Sequence, residues 1–317
     1  MRRAPAALLL AAAALLVAGC GVGAGASSKA STEGSLTVTR DFGGQGLGRH
    51  AERSVSDSDT VMRLLQRDFE VRTRYGGKFV QEIDGVAGGK QGGRRVDWFY
   101  YVNGLEAPVG ATDRKVFPGD RIWWDHHDWT ATMHIPAVVG SFPEPFTTGT
   151  GGRKLPVRLV CLGKANHACD EVETRLDDAG VSTVGRAILP QSAGKESLRV
   201  LVGPWSEVRQ DTAARKLESG PAASGVYAKP DPSGDRFDLL DEHGATVRTL
   251  GHGGGLVAAT QITGQQATWV VTGTDATGVE AAAAAVTEDE LRDHFAVAID
   301  EGRTVPLPIA SSPEDSG

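Results

Sequence analysis

The chain is poor in cysteine, in aromatic residues and in positive charge. Three cysteines in 317 residues are too few to complete a thiol metal site. Lys and Arg number 33 against 40 Asp and Glu, a formal net charge of −7. With no basic stripe, the chain lacks the electrostatic footprint of a nucleic-acid or anionic-lipid binder. No apolar run beyond the N-terminus approaches the roughly 20 residues that span a bilayer. There is no G-x-S-x-G nucleophile elbow, so Gly251-His252-Gly253-Gly254-Gly255, which resembles an esterase oxyanion loop, has no nucleophile to serve. Carboxylate pairs such as Asp177-Asp178 and Asp241-Glu242 lie beside helix ends or turns, where solvated surface accounts for them without a glycosidase dyad. The chain reads as a non-enzyme with no cofactor of its own.

What is present begins with an address. Arg2 and Arg3 precede an apolar run over residues 6–17, and Val17-Ala18-Gly19-Cys20 follows, with small residues before a Cys. This is the plan of a secretory signal peptide, residues 1–19, and it resembles the lipobox of bacterial lipoproteins. That resemblance implies that Cys20 becomes the lipidated first residue. At about 0.8 kcal/mol per buried CH₂, two acyl chains would hold a folded domain on the extracytoplasmic face of the cell membrane. Cleavage removes two positive charges, leaving the rest more acidic. Residues 20–34, mostly Gly, Ala and Ser, form a flexible linker. Cys161 and Cys169 remain as an even pair in an oxidising compartment, where a disulfide is the expected use. A thiol metal site and free buried thiols are the other readings.

Aromatics make up 6% of the chain, yet four of the six Trp and two of the four Tyr fall within residues 79–129. Before them, residues 35–40 alternate as a strand, and a helix follows with Val61, Leu64, Leu65 and Phe69 on one face and Ser58 or Asp59 as its cap. From residue 71 the period changes to two. Five glycines in residues 85–95 lack the P-loop ending and read as a hairpin loop. Residues 98–102 (WFYYV) form a strand that puts Trp98, Tyr100 and Val102 on one face and Phe99 and Tyr101 on the other. Asn103-Gly104 and Pro118-Gly119-Asp120 are turns. In the last strand, residues 121–125, Trp123 and Trp124 point apart, one to the core and one to the exterior or an edge.

Ile83-Asp84-Gly85, Trp98 with Tyr100 and Tyr101, Val102-Asn103-Gly104, and Gly119-Asp120 followed by Ile122 come in the order found in DUF4430, the transcobalamin-like C-terminal domain, and residues 35–130 resemble it. The resemblance implies a ubiquitin-like β-grasp fold. It also makes a corrinoid (cobalamin) the first candidate ligand. In the cobalamin carriers of that family the small domain closes over a corrinoid held by a larger helical barrel, and this chain has no such barrel.

Residues 131–156, punctuated by Pro and Gly, connect to a second domain over residues 157–310, where strands alternate with helices. This implies an α/β sandwich, with ferredoxin-like βαβ units opening near Cys161, Pro204 and Thr274. Expected helices cover residues 168–179, 206–217 and 281–285, and Thr287 with Glu290 makes a capping box. Residues 295–309 read as a closing hairpin, and 311–317 as a disordered tail. The stretch Leu198 to Trp205 is similar to the opening strand of a peptidoglycan-binding repeat.

Asp125-His126-His127-Asp128 with His134 offers metal-ligand atoms, but neighbours on a strand point apart; a surface strand end accounts for them, and a weak Zn²⁺ or Cu²⁺ site is the alternative. The rings number more than a small one-helix core would consume. Trp98, Tyr100, Trp124 and Trp129 are therefore the candidate ligand-binding residues. The expected function of this α+β chain is a membrane-anchored binding module. It would capture a small ligand, a corrinoid first, beside a membrane transporter. The alternative is a structural envelope protein that binds peptidoglycan or a membrane complex.

Overall fold

In the computed structural model, residues 33–181, 184–187 and 196–311 are described. The signal segment, Cys20 and all but the last residues of the linker lie outside them, as does the tail from residue 312. The architecture is mixed α+β, built mostly from sheets with few helices.

Strand β1 (Glu33–Arg40) turns through Asp41, Phe42 and Gly43, all at positive φ, into β2 (Gln45–Ser54). Helix α1 (Val61–Asp68) is capped by the hydroxyl of Thr60, which accepts from Arg63 N. Asp59, one expected cap, is instead buried beneath the helix, where it accepts from Arg67 and from Ser56 N at 2.8 Å. A small sheet of β3 (Val71–Arg74), β4 (Phe79–Ile83) and β5 (Val86–Ala87) follows. The glycine-rich stretch then forms β6 (Gly89–Gln91) and turns at Gly92-Gly93 into β7 (Arg94–Val102). Asn103 and Gly104, both at positive φ, lead into β8 (Leu105–Glu106), and β9 (Arg121–Asp128) completes the first sheet. Its order is β2-β1-β9-β7-β6, with β8 on β7 and the central pair β1–β9 parallel.

The second half places β10 (Val157–Cys161), β11 (Val184–Ala187) and β12 (Leu198–Pro204) in a seven-stranded sheet with β16 (Gly255–Thr260), β17 (Thr268–Gly273), β18 (Ala296–Asp300) and β19 (Arg303–Leu307). The order is β11-β10-β12-β17-β16-β18-β19; the first four strands are parallel and the rest antiparallel. Helices α2 (Asn166–Asp178) and α5 (Ala276–Ala284) pack on one face through Val172, Leu176, Val279 and Ala282. A small sheet of β13 (Ala228–Pro230), β14 (Phe237–Leu240) and β15 (Thr246–Leu250) contributes to the other face.

The expected helix over residues 206–217 is broken. Only α3 (Trp205–Val208) forms, followed by a 3-10 turn over Ala214–Ser219 and the short α4 (Pro221–Ser224). Asp211 causes the break: its carboxylate accepts from Ala213 N and Ala214 N, offering the backbone an alternative to the helix. Helix α6 (Glu288–Leu291) keeps its expected start, with Thr287 accepting from Glu290 N. Cys161 and Cys169 form a disulfide, Cα–Cα 5.9 Å, tying the end of β10 to the first turn of α2.

Residues 131–156 bury Ile135, Val138, Val139, Phe142, Phe146 and Leu155. They add no full strand to the first sheet but form a bridge from Ala137 to Leu105, with bonds from Val138 N to Gly104 O and from Glu106 N to Pro136 O.

Candidate functional site

Strand alternation sorts the rings of residues 98–129 onto two faces, and the structure buries both. On the α1 face, Trp98 and Trp124 are 5% and 2% exposed, beneath Leu64 and Leu65. Tyr100 stacks on Trp124 at 4.8 Å, and its hydroxyl donates to Val109 O. Burial pushes the Tyr100 phenol up. Of the four candidate ligand-binding residues, Trp98 and Trp124 are core side chains, and Tyr100 is half-buried against that core. Trp129 is half-buried at the strand end, donating to Asp97 at 2.8 Å with Arg95 over its ring. The four form no shared open platform.

Trp123 corrects the expectation that one of the tryptophan pair would be external. It points away from α1, as alternation requires, but is 2% exposed, because the second half covers that face. Phe295 is the central contact, edge-on to Trp123 (5.0 Å), Tyr101 (5.5 Å) and Phe42 (5.2 Å). The rings that exceed a one-helix core therefore make a second core.

His126 and His127 are likewise buried rather than at a surface strand end. His127 lies between Phe42 and Phe99, both stacked on its ring, at 4.7 and 4.5 Å. Its Nδ1 is 2.8 Å from Asp125, a fully buried carboxylate that also accepts from Thr39, Phe42 N and Gly43 N. Trp123 donates to Thr39 Oγ1 at 2.7 Å and closes the knot. His126 points to the other face, its Nε2 3.1 Å from Ala87 O, and burial holds its pKa below the usual range. Among the described residues, no group of three or more His, Cys, Asp or Glu is arranged to hold a metal ion.

With these faces closed, a concave polar feature of the first sheet is a cleft of about 220 Å³ against the segment carrying α6. Arg49 of β2, Arg121 of β9 and Arg292 after α6 line it. Arg121 donates to Phe142 O and to Glu288, both at 2.8 Å. Arg49 pairs with Asp293, and Arg292 with the exposed Asp289 at 3.0 Å. Glu288 and Asp293 are the lining carboxylates, so the walls carry three cations to two anions in an acidic chain. Gly140 makes the floor close: a Cβ there would lie 2.7 Å from His294 N and 2.8 Å from the Trp123 ring. Guanidinium groups present planar forks of donors matched to carboxylate or phosphate oxygens. The three arginines come from stretches far apart in sequence, so no motif announces them.

Residues 58–128, from just before α1 to the end of β9, match the family model "Domain of unknown function (DUF4430)". No curated protein matches the chain. Among solved structures, a "putative metal binding protein" from Ruminococcus gnavus is similar over 31% of this chain and 97% of its own, at 13% identity and a TM-score of 0.25.

Proposed function

We propose that the protein is an extracytoplasmic lipoprotein, tethered through Cys20, that captures a small anionic ligand in the cleft between Arg49, Arg121 and Arg292. The observation that carries the reading is the convergence of three guanidiniums on one cleft while the aromatic faces are closed. Two of the three, Arg49 and Arg292, are partly exposed and held by ion pairs to Asp293 and Asp289; exposed pairs of this kind are worth about 0–1 kcal/mol and can be exchanged for a ligand. The parallel pair β1–β9 at the centre, flanked by β2 and β7 with α1 across one face, supports a β-grasp reading of residues 35–130.

A corrinoid beside a transporter remains the ligand that the family resemblance implies. A cleft of about 220 Å³ has no room for a whole macrocycle, so only an anionic appendage would enter it. Titrating the protein with cobalamin, with inorganic phosphate and with succinate, read by Trp fluorescence, tests both ideas. Binding of either small anion that Arg49→Ala with Arg292→Ala abolishes supports the cleft; no response to any anion sinks it. Cobalamin binding that survives the double substitution would place the corrinoid elsewhere. The envelope-structural reading has lost one support, since Trp205 is fully buried and offers no ring to a glycan. A pull-down on purified peptidoglycan tests it directly.

A further inference from the structure

The seven-stranded sheet changes winding direction between β10 and β12. From β10 the chain passes through α2 to β11 on one side, whereas β12 pairs on its other side with β17, reached by way of the small sheet and β16. Parallel strands that depart in opposite directions leave a crevice outside their carboxyl ends, the usual place for ligands in open α/β sheets. A cavity of about 100 Å³ lies there, where α2 and α5 begin beside the end of β12. Its apolar part is Ala165, Ala168, Pro204 and Val279, and its polar rim is Lys164, Glu280 and His167. The Cys161–Cys169 disulfide fixes the wall that carries Lys164.

The rim carries one charge of each sign over an apolar floor. Lys164 has no hydrogen-bond or ion-pair partner among the described residues. Glu280 meets only the exposed His167, at 3.9 Å. A ligand complementary to this arrangement has a carboxylate for Lys164, an ammonium for Glu280 and a short apolar group for the floor, and the volume keeps it small. We propose that this crevice is a binding site for a small zwitterionic amino acid with a short side chain, of the alanine or valine class. The site is separate from the arginine cleft and does not depend on it.

Saturation-transfer NMR on the purified protein tests the assignment with L-alanine, D-alanine and L-valine, and with acetate and methylammonium as half-ligands. At least one amino acid should give transfer from its methyl protons and bind more tightly than either half-ligand. Lys164→Met and Glu280→Gln should each weaken it about 10-fold, the effect of one lost charge-assisted contact of about 1.4 kcal/mol. Ala276→Trp, at an exposed position on the rim, should block it without disturbing the core. The two alanine enantiomers separate a free metabolite from a wall-derived source. Half-ligands that bind as well as the amino acids, or affinities unmoved by all three substitutions, would overturn the proposal. Arg49→Ala should leave this binding unchanged, which keeps the two sites distinguishable.

Discussion

At Asp125 a carboxyl group is taken wholly out of water and surrounded by hydrogen-bond partners: Thr39, Phe42 N, Gly43 N and the His127 ring. A polar group buried without partners is costly, and these hydrogen bonds are what make the position tolerable. Asp125→Ala should lower stability by about 3–5 kcal/mol, measured by urea unfolding, because it strands those donors in the core. Tyr227 is the reverse case. Its hydroxyl is buried without a partner, and burial, with Asp128, Glu242 and Asp241 nearby, pushes its pKa up. Tyr227→Phe should therefore be neutral or stabilising by up to about 1 kcal/mol; a clear loss would mean that the hydroxyl is satisfied after all.

Among the elements, those legible in the sequence were the ones that local pattern decides. The apolar stripe of α1, the alternation in β7 and the Asn103-Gly104 turn all formed as their residues suggested. The Cys161–Cys169 bond matches the expectation from an even pair of cysteines, and removing it by a double Cys→Ser change should cost about 2–3 kcal/mol for so short a loop. Partners distant in sequence decided the rest. Nothing near Trp123 announces that Phe295 will cover it, and nothing in His126-His127 reveals that both flanking layers are occupied. The helix expected over residues 206–217 failed at one side chain, Asp211, whose bonds to Ala213 N and Ala214 N compete with the helical turn. The arginine cleft was illegible for the same reason as Trp123, since β2, β9 and α6 meet only after folding.

For the molecule as a whole, the pH response follows from what is buried. Burial lowers the pKa of His126 and His294 from an ordinary 6.5, so the unfolded chain takes up those protons first. Their contribution is complete above about 6.5 and is lost as the pH falls below it. Burial raises Asp120 and Glu144, whose contribution has the opposite sense: it is complete below their ordinary values of 3.8 and 4.5 and is lost as the pH rises through the folded pKa. The histidine component of thermal stability should therefore fall as the pH drops from 7 to 5, and His126→Gln with His294→Gln should remove that component. If Cys20 carries the proposed lipid, Cys20→Ser should shift the protein from the membrane to the soluble fraction; unchanged fractionation would refute the proposed anchor. The ring cluster around Phe295 has a further consequence, for the order of events during synthesis. Strand β1 must wait for β9, its parallel partner, and the exposed face of that sheet must wait for residue 295. At ordinary translation rates the interval between residues 129 and 295 lasts about 10–30 s. Throughout it Phe42, Tyr101 and Trp123 lack the cover of Phe295, which leaves an apolar face open on the nascent first half. A fragment ending near residue 130 would remain in that state and should aggregate.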